Sequence, residues 1–145
     1  MPTVTRTVLI ALCAGALSIA AGCGGNATAP TPVARTETFT GTLQPAGVDF
    51  KTFTIAAQGS TDLSVTVNSL TTVASSTAVS GITIGVGFGL VSGATCALQA
   101  SNPTAVIGQE LFAPNGASPG TYCVEIFDAS TLTEAVTYSM TVKHF

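Results

Sequence analysis

The chain of 145 residues has no tryptophan, one histidine and very little charge, with Lys, Arg, Asp and Glu making up 8% of it. Each scarcity excludes something. After Arg6 the basic residues are Arg35, Lys51 and Lys143, set against seven acids. That leaves no basic stripe, so nucleic-acid binding lacks its electrostatic footprint. The single histidine, His144, cannot supply a Cys/His zinc set. It sits one residue from the end of the sequence, where an exposed side chain is expected. Without tryptophan, and with two tyrosines, the chain is poorly equipped for an aromatic platform of the kind that binds carbohydrate. No segment sustains a helical period and no unit repeats. Gly85-Val86-Gly87-Phe88-Gly89 alternates like a strand and opens no helix, so it is not a phosphate loop. Low charge does not mean disorder here. Hydrophobic residues make up 46% of the chain, enough apolar surface for a core.

What is present begins with an address. Arg6 precedes an apolar run from Val8 through Ile19, and small residues then lead into Cys23. This is the order of a bacterial export signal. Ala20-Ala21-Gly22-Cys23 resembles the cleavage site of bacterial lipoprotein precursors, with Ala20 where that family usually has Leu. The resemblance implies a signal peptide over residues 1–22 and a lipidated Cys23 carrying diacylglycerol and an N-acyl chain. Two such signals anchor a protein stably where one acyl chain does not. It also implies a cell-envelope location, and the outer membrane in a Gram-negative source, because Gly24 rather than Asp follows the cysteine. Two alternatives stay open. Ala27-Thr28-Ala29 has the shape of an ordinary signal-peptidase site giving a secreted or periplasmic product, although Pro30 follows it. The apolar run could also remain as a spanning helix, for which it is short, since spanning takes roughly 20 apolar residues. Residues 23–35, rich in small residues and proline, read as a flexible tether with a reach of at most about 40 Å.

Residues 36–145 read as one domain. Its two cysteines, Cys96 and Cys123, are expected to pair in an oxidising compartment. A redox pair would favour Cys-x-x-Cys and a metal site closer Cys/His spacing. Closing that loop stabilises the fold by about 3–4 kcal/mol in the chain-entropy model. The apolar period is two almost throughout, the mark of half-buried strands. Strands are expected over residues 36–42, 48–56, 61–68, 81–91, 95–100, 106–112, 121–127 and 135–143. The intervening segment 69–80 reads as a connection. In the second strand Phe50, Phe53 and Ile55 share one face only if a β-bulge intervenes. The clearest strand puts Ile82, Ile84, Val86, Phe88 and Leu90 on one face and Gly81, Thr83, Gly85, Gly87 and Gly89 on the other. A glycine face invites close approach, by packing or by a flat ligand. The expected core is Phe53, Ile55, Leu63, Val65, Ile84, Val86, Phe88, Val124, Ile126, Tyr138 and Met140. Seven or eight short strands separated by turns give an all-β, antiparallel, jelly-roll-like sandwich.

Gly120-Thr121-Tyr122-Cys123-Val124-Glu125-Ile126-Phe127-Asp128, Val136-Thr137-Tyr138-Ser139-Met140-Thr141-Val142 and Phe50-Lys51-Thr52-Phe53-Thr54-Ile55 resemble bacterial pre-peptidase C-terminal domains. The resemblance implies a jelly-roll-like sandwich with an accessory or binding role, and supplies no catalytic residue. No peptidase precedes the domain in this sequence. No cofactor is expected. Asp128 and Glu134 flank one loop and are the candidate calcium ligands, although calcium wants six to eight oxygens. The expected function is a lipid-anchored, non-catalytic envelope module binding an envelope protein or a carbohydrate. The alternatives are a purely structural lipoprotein and a small hydrolase using Ser or Thr with carboxylates.

Overall fold

The computed structural model describes residues 33–56, 63–113 and 117–145. The signal segment, Cys23 and all but the last three tether residues lie outside this range. Eight strands form: β1 (Arg35–Leu43), β2 (Val48–Ile55), β3 (Ser64–Thr72), β4 (Ile84–Ser92), β5 (Thr95–Ala105), β6 (Glu110–Phe112), β7 (Gly120–Phe127) and β8 (Val136–His144). They make two four-stranded sheets in the orders β1-β8-β3-β6 and β2-β7-β4-β5. All pairing is antiparallel, and β1 pairs β8, β2 pairs β7, β3 pairs β6 and β4 pairs β5. The chain is thus one long hairpin, with its tip between β4 and β5, rolled until its strands fall alternately into two sheets. This is the jelly-roll arrangement.

Alternation explains which side chains meet inside. Val65 and Val67 on β3, Val86 and Phe88 on β4, Val124 and Ile126 on β7, and Met140 and Val142 on β8 are all buried. Every residue of the expected core belongs to the buried cluster, which Leu43, Leu70, Tyr122 and Val136 extend.

Four elements differ from expectation. The β2–β7 ladder runs from Val48↔Phe127 to Ile55↔Gly120 without a register shift. There is no bulge in β2, so strict alternation puts Phe50 on the outer face and Asp49 and Lys51 on the inner one. Strand β3 continues past Asn68 to Thr72, because a register shift between Val67 and Ser69 resets the alternation and buries Leu70. Strand β5 extends to Ala105 across two irregularities in its pairing with β4. The expected strand over 106–112 shrinks to three residues. Val106–Gln109 instead forms a turn closed by Gln109 N–H to Val106 O at 3.0 Å. Gly108 takes φ 82° there, a left-handed conformation that glycine adopts at no steric cost.

Phe88 is 3% exposed and faces the opposite sheet. Phe88→Ala is expected to destabilise the fold by about 3–5 kcal/mol. Phe50→Ala deletes the same group from the outer face and is expected to cost about 1 kcal/mol or less. Urea unfolding of the two variants checks both values. Equal costs would place Phe50 inside.

Candidate functional site

The glycine face of β4 invites a ligand on sequence grounds, and the chain itself fills that face. A Cβ on Gly85 would meet the Phe127 ring. One on Gly87 would come within 2.9 Å of Leu98 Cδ2, and one on Gly89 would run into the Ala97 carbonyl. The β5 backbone therefore lies across the outer face of β4 at Gly89. This curl explains the disulfide. Strands β5 and β7 lie on opposite sides of β4, nominally two strand spacings, or about 9.6 Å, apart. Yet the Cα atoms of Cys96 and Cys123 are 5.8 Å apart, and the two cysteines are bonded. Cys123 pairs with Gly89 in the ladder. A side chain at position 89 would stand where β5 crosses to reach Cys123. Beside this region Glu125 lies between its ladder partners Phe50 and Gly87. Burial pushes its carboxyl above the usual carboxylate range.

A polar seam, not anticipated from the sequence, runs along the side of the sandwich where β1 and β2 form the two sheet edges. Tyr138 donates its hydroxyl to Asp49 Oδ2 at 2.7 Å, and Lys51 Nζ reaches the same oxygen at 3.0 Å. A Cβ at Gly41 would collide with both Asp49 Oδ2 and the Tyr138 hydroxyl, so glycine there makes room for the bond. Burial first, then the hydrogen bond to Asp49 and its negative charge, push the Tyr138 hydroxyl far above its ordinary range. Further along, His144 Nε2 lies 2.8 Å from Glu37 Oε1. The His144 ring packs on Phe53 with centroids 5.2 Å apart. His144 is 1% exposed, contrary to the expected exposed position. It is the penultimate residue of the sequence, but it pairs with Arg35 across β1–β8 and its ring points inward.

Two further clusters bear on chemistry. Ser64 is buried on the outer face of the first sheet and donates its hydroxyl to Glu110 Oε1 at 2.5 Å. Lys143 Nζ lies 3.8 Å from the same carboxylate oxygen. The hydrolase alternative calls for a Ser or Thr hydroxyl with a carboxylate, and Ser64–Glu110 is one such contact, as Thr131–Asp128 is another at 3.5 Å. Activating a serine takes a neighbouring general base with an orienting partner, and stabilising the product of its attack takes free N–H donors. The two neighbouring strands pair with β3 at Ser64, which faces Phe112 and Lys143 in the ladders.

Asp128 is a framework residue. Its Oδ2 accepts Ala46 N–H at 2.8 Å, and its Oδ1 accepts Thr131 N–H at 2.8 Å and Leu132 N–H at 3.1 Å. These bonds hold the β1–β2 turn against the β7–β8 loop, and both contain a left-handed residue, Ala46 at φ 54° and Ser130 at φ 69°. Left-handed backbone costs a non-glycine residue roughly 1–2 kcal/mol, and the carboxylate offsets part of that. Partial burial raises the Asp128 pKa, but the hydrogen bonds from Ala46, Thr131 and Leu132 outweigh it and the net shift is downward. Both Asp128 oxygens, which a calcium ion would need, are engaged by N–H groups. Glu134 lines a separate shallow cleft of about 70 Å³ with Val79, Ile82 and Leu132, small beside ligand pockets of about 300 Å³ and more. Among the described residues no group of three or more His, Cys, Asp or Glu side chains is placed to share a metal. Compared with known proteins, the chain matches no protein-family model and no curated relative.

Gly89→Ala is expected to force β5 off β4 and to lower the fraction of molecules carrying the Cys96–Cys123 bond, read by thiol titration of the denatured protein. Full oxidation with unchanged stability would show that β5 does not cross there. Asp128 makes acid stability the second test. Its folded pKa is lowered, so the unfolded chain binds more protons. The stabilisation is complete above the unfolded value of about 3.9 and is lost as pH falls through the folded one. Asp128→Asn is expected to be less stable than the parent at neutral pH, with the gap narrowing as pH drops below about 4. A gap independent of pH would refute the role.

Proposed function

We propose that the protein is a lipid-anchored, non-catalytic module of the cell envelope, serving as a binding or accessory domain on a tether. The observation that carries this reading is the order of the first 23 residues, an export signal leading into Ala20-Ala21-Gly22-Cys23. The geometry of the domain supports it. The described polar clusters are closed on themselves: Asp128 on backbone N–H groups, Asp49 on Tyr138 and Lys51, His144 on Glu37. Among the described residues no buried side-chain polar atom lacks a partner. Perturbed groups often mark functional sites, but the two in these clusters, Asp128 and Tyr138, are spent on hydrogen bonds that hold the sandwich together. The likeness to pre-peptidase C-terminal domains points the same way, toward an accessory role. The partner class is an envelope protein or a carbohydrate.

One observation favours a second reading. The Ser64 hydroxyl bonded to Glu110 beside Lys143 is the arrangement from which a small hydrolase would be built.

Intact mass of the protein extracted from the membrane fraction is expected to show residues 23–145 with an acylated Cys23. A soluble product beginning elsewhere would overturn the anchor. An esterase and peptidase screen with the parent and Ser64→Ala separates the two functional readings. Turnover abolished in a folded Ser64→Ala variant would replace the binding module with the hydrolase.

A further inference from the structure

The tip of the β4–β5 hairpin is fastened differently from the rest of the sandwich. Strand β4 buries every residue from Ile84 to Gly89 and then leaves Leu90, Val91 and Ser92 exposed. Strand β5 buries only Ala105, at its far end. From Leu90 through Ser101 no residue is buried, and only Cys96 and Ala100 are half-buried. Of these, Ala100 alone packs against the core cluster. Removal of apolar side chains from water is what ordinarily fastens an edge strand to a core, and this stretch has almost none of it.

Its backbone ladder is also interrupted. Ala100 faces Phe88 and Leu98 faces Gly89, which leaves Gln99 without a partner on β4. Both ends of the stretch have places to bend. Gly93 takes φ 61° in the β4–β5 turn, a conformation glycine adopts freely. Pro103, just beyond Ser101, has no N–H to give to a ladder. The far end of β5 is fixed, by contrast. Ala105 is 1% exposed, and the turn after it is tied to β3 by Gly108 N–H to Val67 O at 2.8 Å. Among the described residues, the one side-chain bond from Leu90–Ser101 to the rest of the sandwich is Cys96–Cys123, which reaches β7 across β4.

The oxidation state of that pair therefore decides where the stretch lies. Cys96 is half-buried and Cys123 is 0% exposed, so a dithiol reductant meets the Cys96 sulfur. One thiolate of the dithiol attacks Cys96 Sγ and forms a mixed disulfide, and Cys123 leaves as a thiolate that takes a proton from solvent. The second thiol of the dithiol attacks the dithiol's own sulfur in the mixed disulfide. That closes the reagent's disulfide and releases Cys96, which is protonated in turn. Two electrons pass from the dithiol to the cysteine pair. Once the bond is open, nothing but an interrupted ladder keeps Ala97 and Leu98 against Gly89. Lifting them uncovers the β4 edge at residues 86–92, a run without charge whose backbone groups then stand open to pairing.

We propose that the β4–β5 hairpin carries a redox-operated strap: Cys96–Cys123 clasps Thr95–Ser101 over Gly89, and reduction by a dithiol releases it while the two-sheet core stays folded. The core strands keep their neighbours when the strap lifts, because β7 still lies between β2 and β4, and β3 and β8 belong to the other sheet. The inference goes beyond the binding-module reading. It concerns the domain alone and is the same for a lipidated or a soluble protein.

Amide hydrogen exchange of the protein as isolated, before and after dithiothreitol without denaturant, reads the strap directly, with thiol titration reporting reduction. Two thiols should appear, and protection of the β4–β5 ladder should fall roughly a hundredfold, the scale on which a cross-link closing a loop of this length restricts an opened chain. The β3–β8, β1–β8 and β4–β7 ladders should keep their protection. Gly89→Ala supplies a second reading. The atoms its Cβ meets are all on β5, so the variant should lower the urea midpoint of the oxidised protein and leave that of the reduced protein unchanged. Loss of protection in every ladder would show that the bond holds the whole fold, and no loss in β5 that it holds nothing; either overturns the strap. Thiols that appear only after denaturation overturn it as well, as does a Gly89→Ala cost that is equal in the two states.

Discussion

The structure depends on one contact, that between the inner faces of β3–β8 and β4–β7. These four strands occupy the middle of their sheets. Their inward residues, Val65, Val67, Val86, Phe88, Val124, Ile126, Met140 and Val142, are at most 3% exposed. Two half-apolar sheets have no other way to remove such faces from water. Because β8 follows β7 and β4 follows β3, with each pair split between the sheets, burying these faces also fixes the roll of the chain. The outer strands then have little freedom. Strand β1 can add only to β8, β2 only to β7, and the β4–β5 hairpin must curl because Gly89 permits it and Cys96–Cys123 holds it.

The edges are where the chain departs from simple alternation, and the departures share a cause. Open sheet edges invite pairing with other chains, and inward-pointing charge is one defence against it. On the β1–β2 side both edge strands point charge inward: Glu37 from β1, Asp49 and Lys51 from β2. An unpaired inward charge would be costly, but His144 and Tyr138, both from β8, meet Glu37 and Asp49. On the other side β6 is only three residues long and β5 carries Pro103 and two pairing irregularities. Each side is blunted by a different device, and neither needs a covering element.

This division also explains what can be read from the sequence. Strands β4, β7 and β8 are legible because the central strands bury one face consistently, so their alternation survives in the sequence. The second strand misleads for the opposite reason. Grouping Phe50 with Phe53 assumes that an inner face must be apolar, and nothing local reveals that Asp49 is satisfied by a tyrosine 89 residues away. His144 misleads likewise: position near the end of a sequence says little when the last strand is held between two neighbours. The length of β5 is hidden because its pairing irregularities erase the period. The Cys96–Cys123 bond is legible from a count of two cysteines in the domain behind a segment that reads as an export signal, while its reason for reaching across β4 requires the β5 backbone against Gly89. The role of Asp128 is invisible in the sequence, since its partners are backbone groups of two loops separated by more than eighty residues.

The Asp128 lock bears on which part of the molecule a partner would meet. Loops at the end of a sandwich are ordinarily its most variable and mobile parts. Here the β1–β2 turn and the β7–β8 loop are joined through one carboxylate, and the Thr131 hydroxyl ties the latter to the Thr83 carbonyl before β4. Three connections from both sheets are therefore held together at the Leu43–Val48 end of the sandwich. A surface that is already ordered loses less conformational entropy when something binds to it. The left-handed backbone at Ala46 and Ser130 then has a physical rationale beyond closing two turns: with Asp128 it fixes the shape of that end of the sandwich.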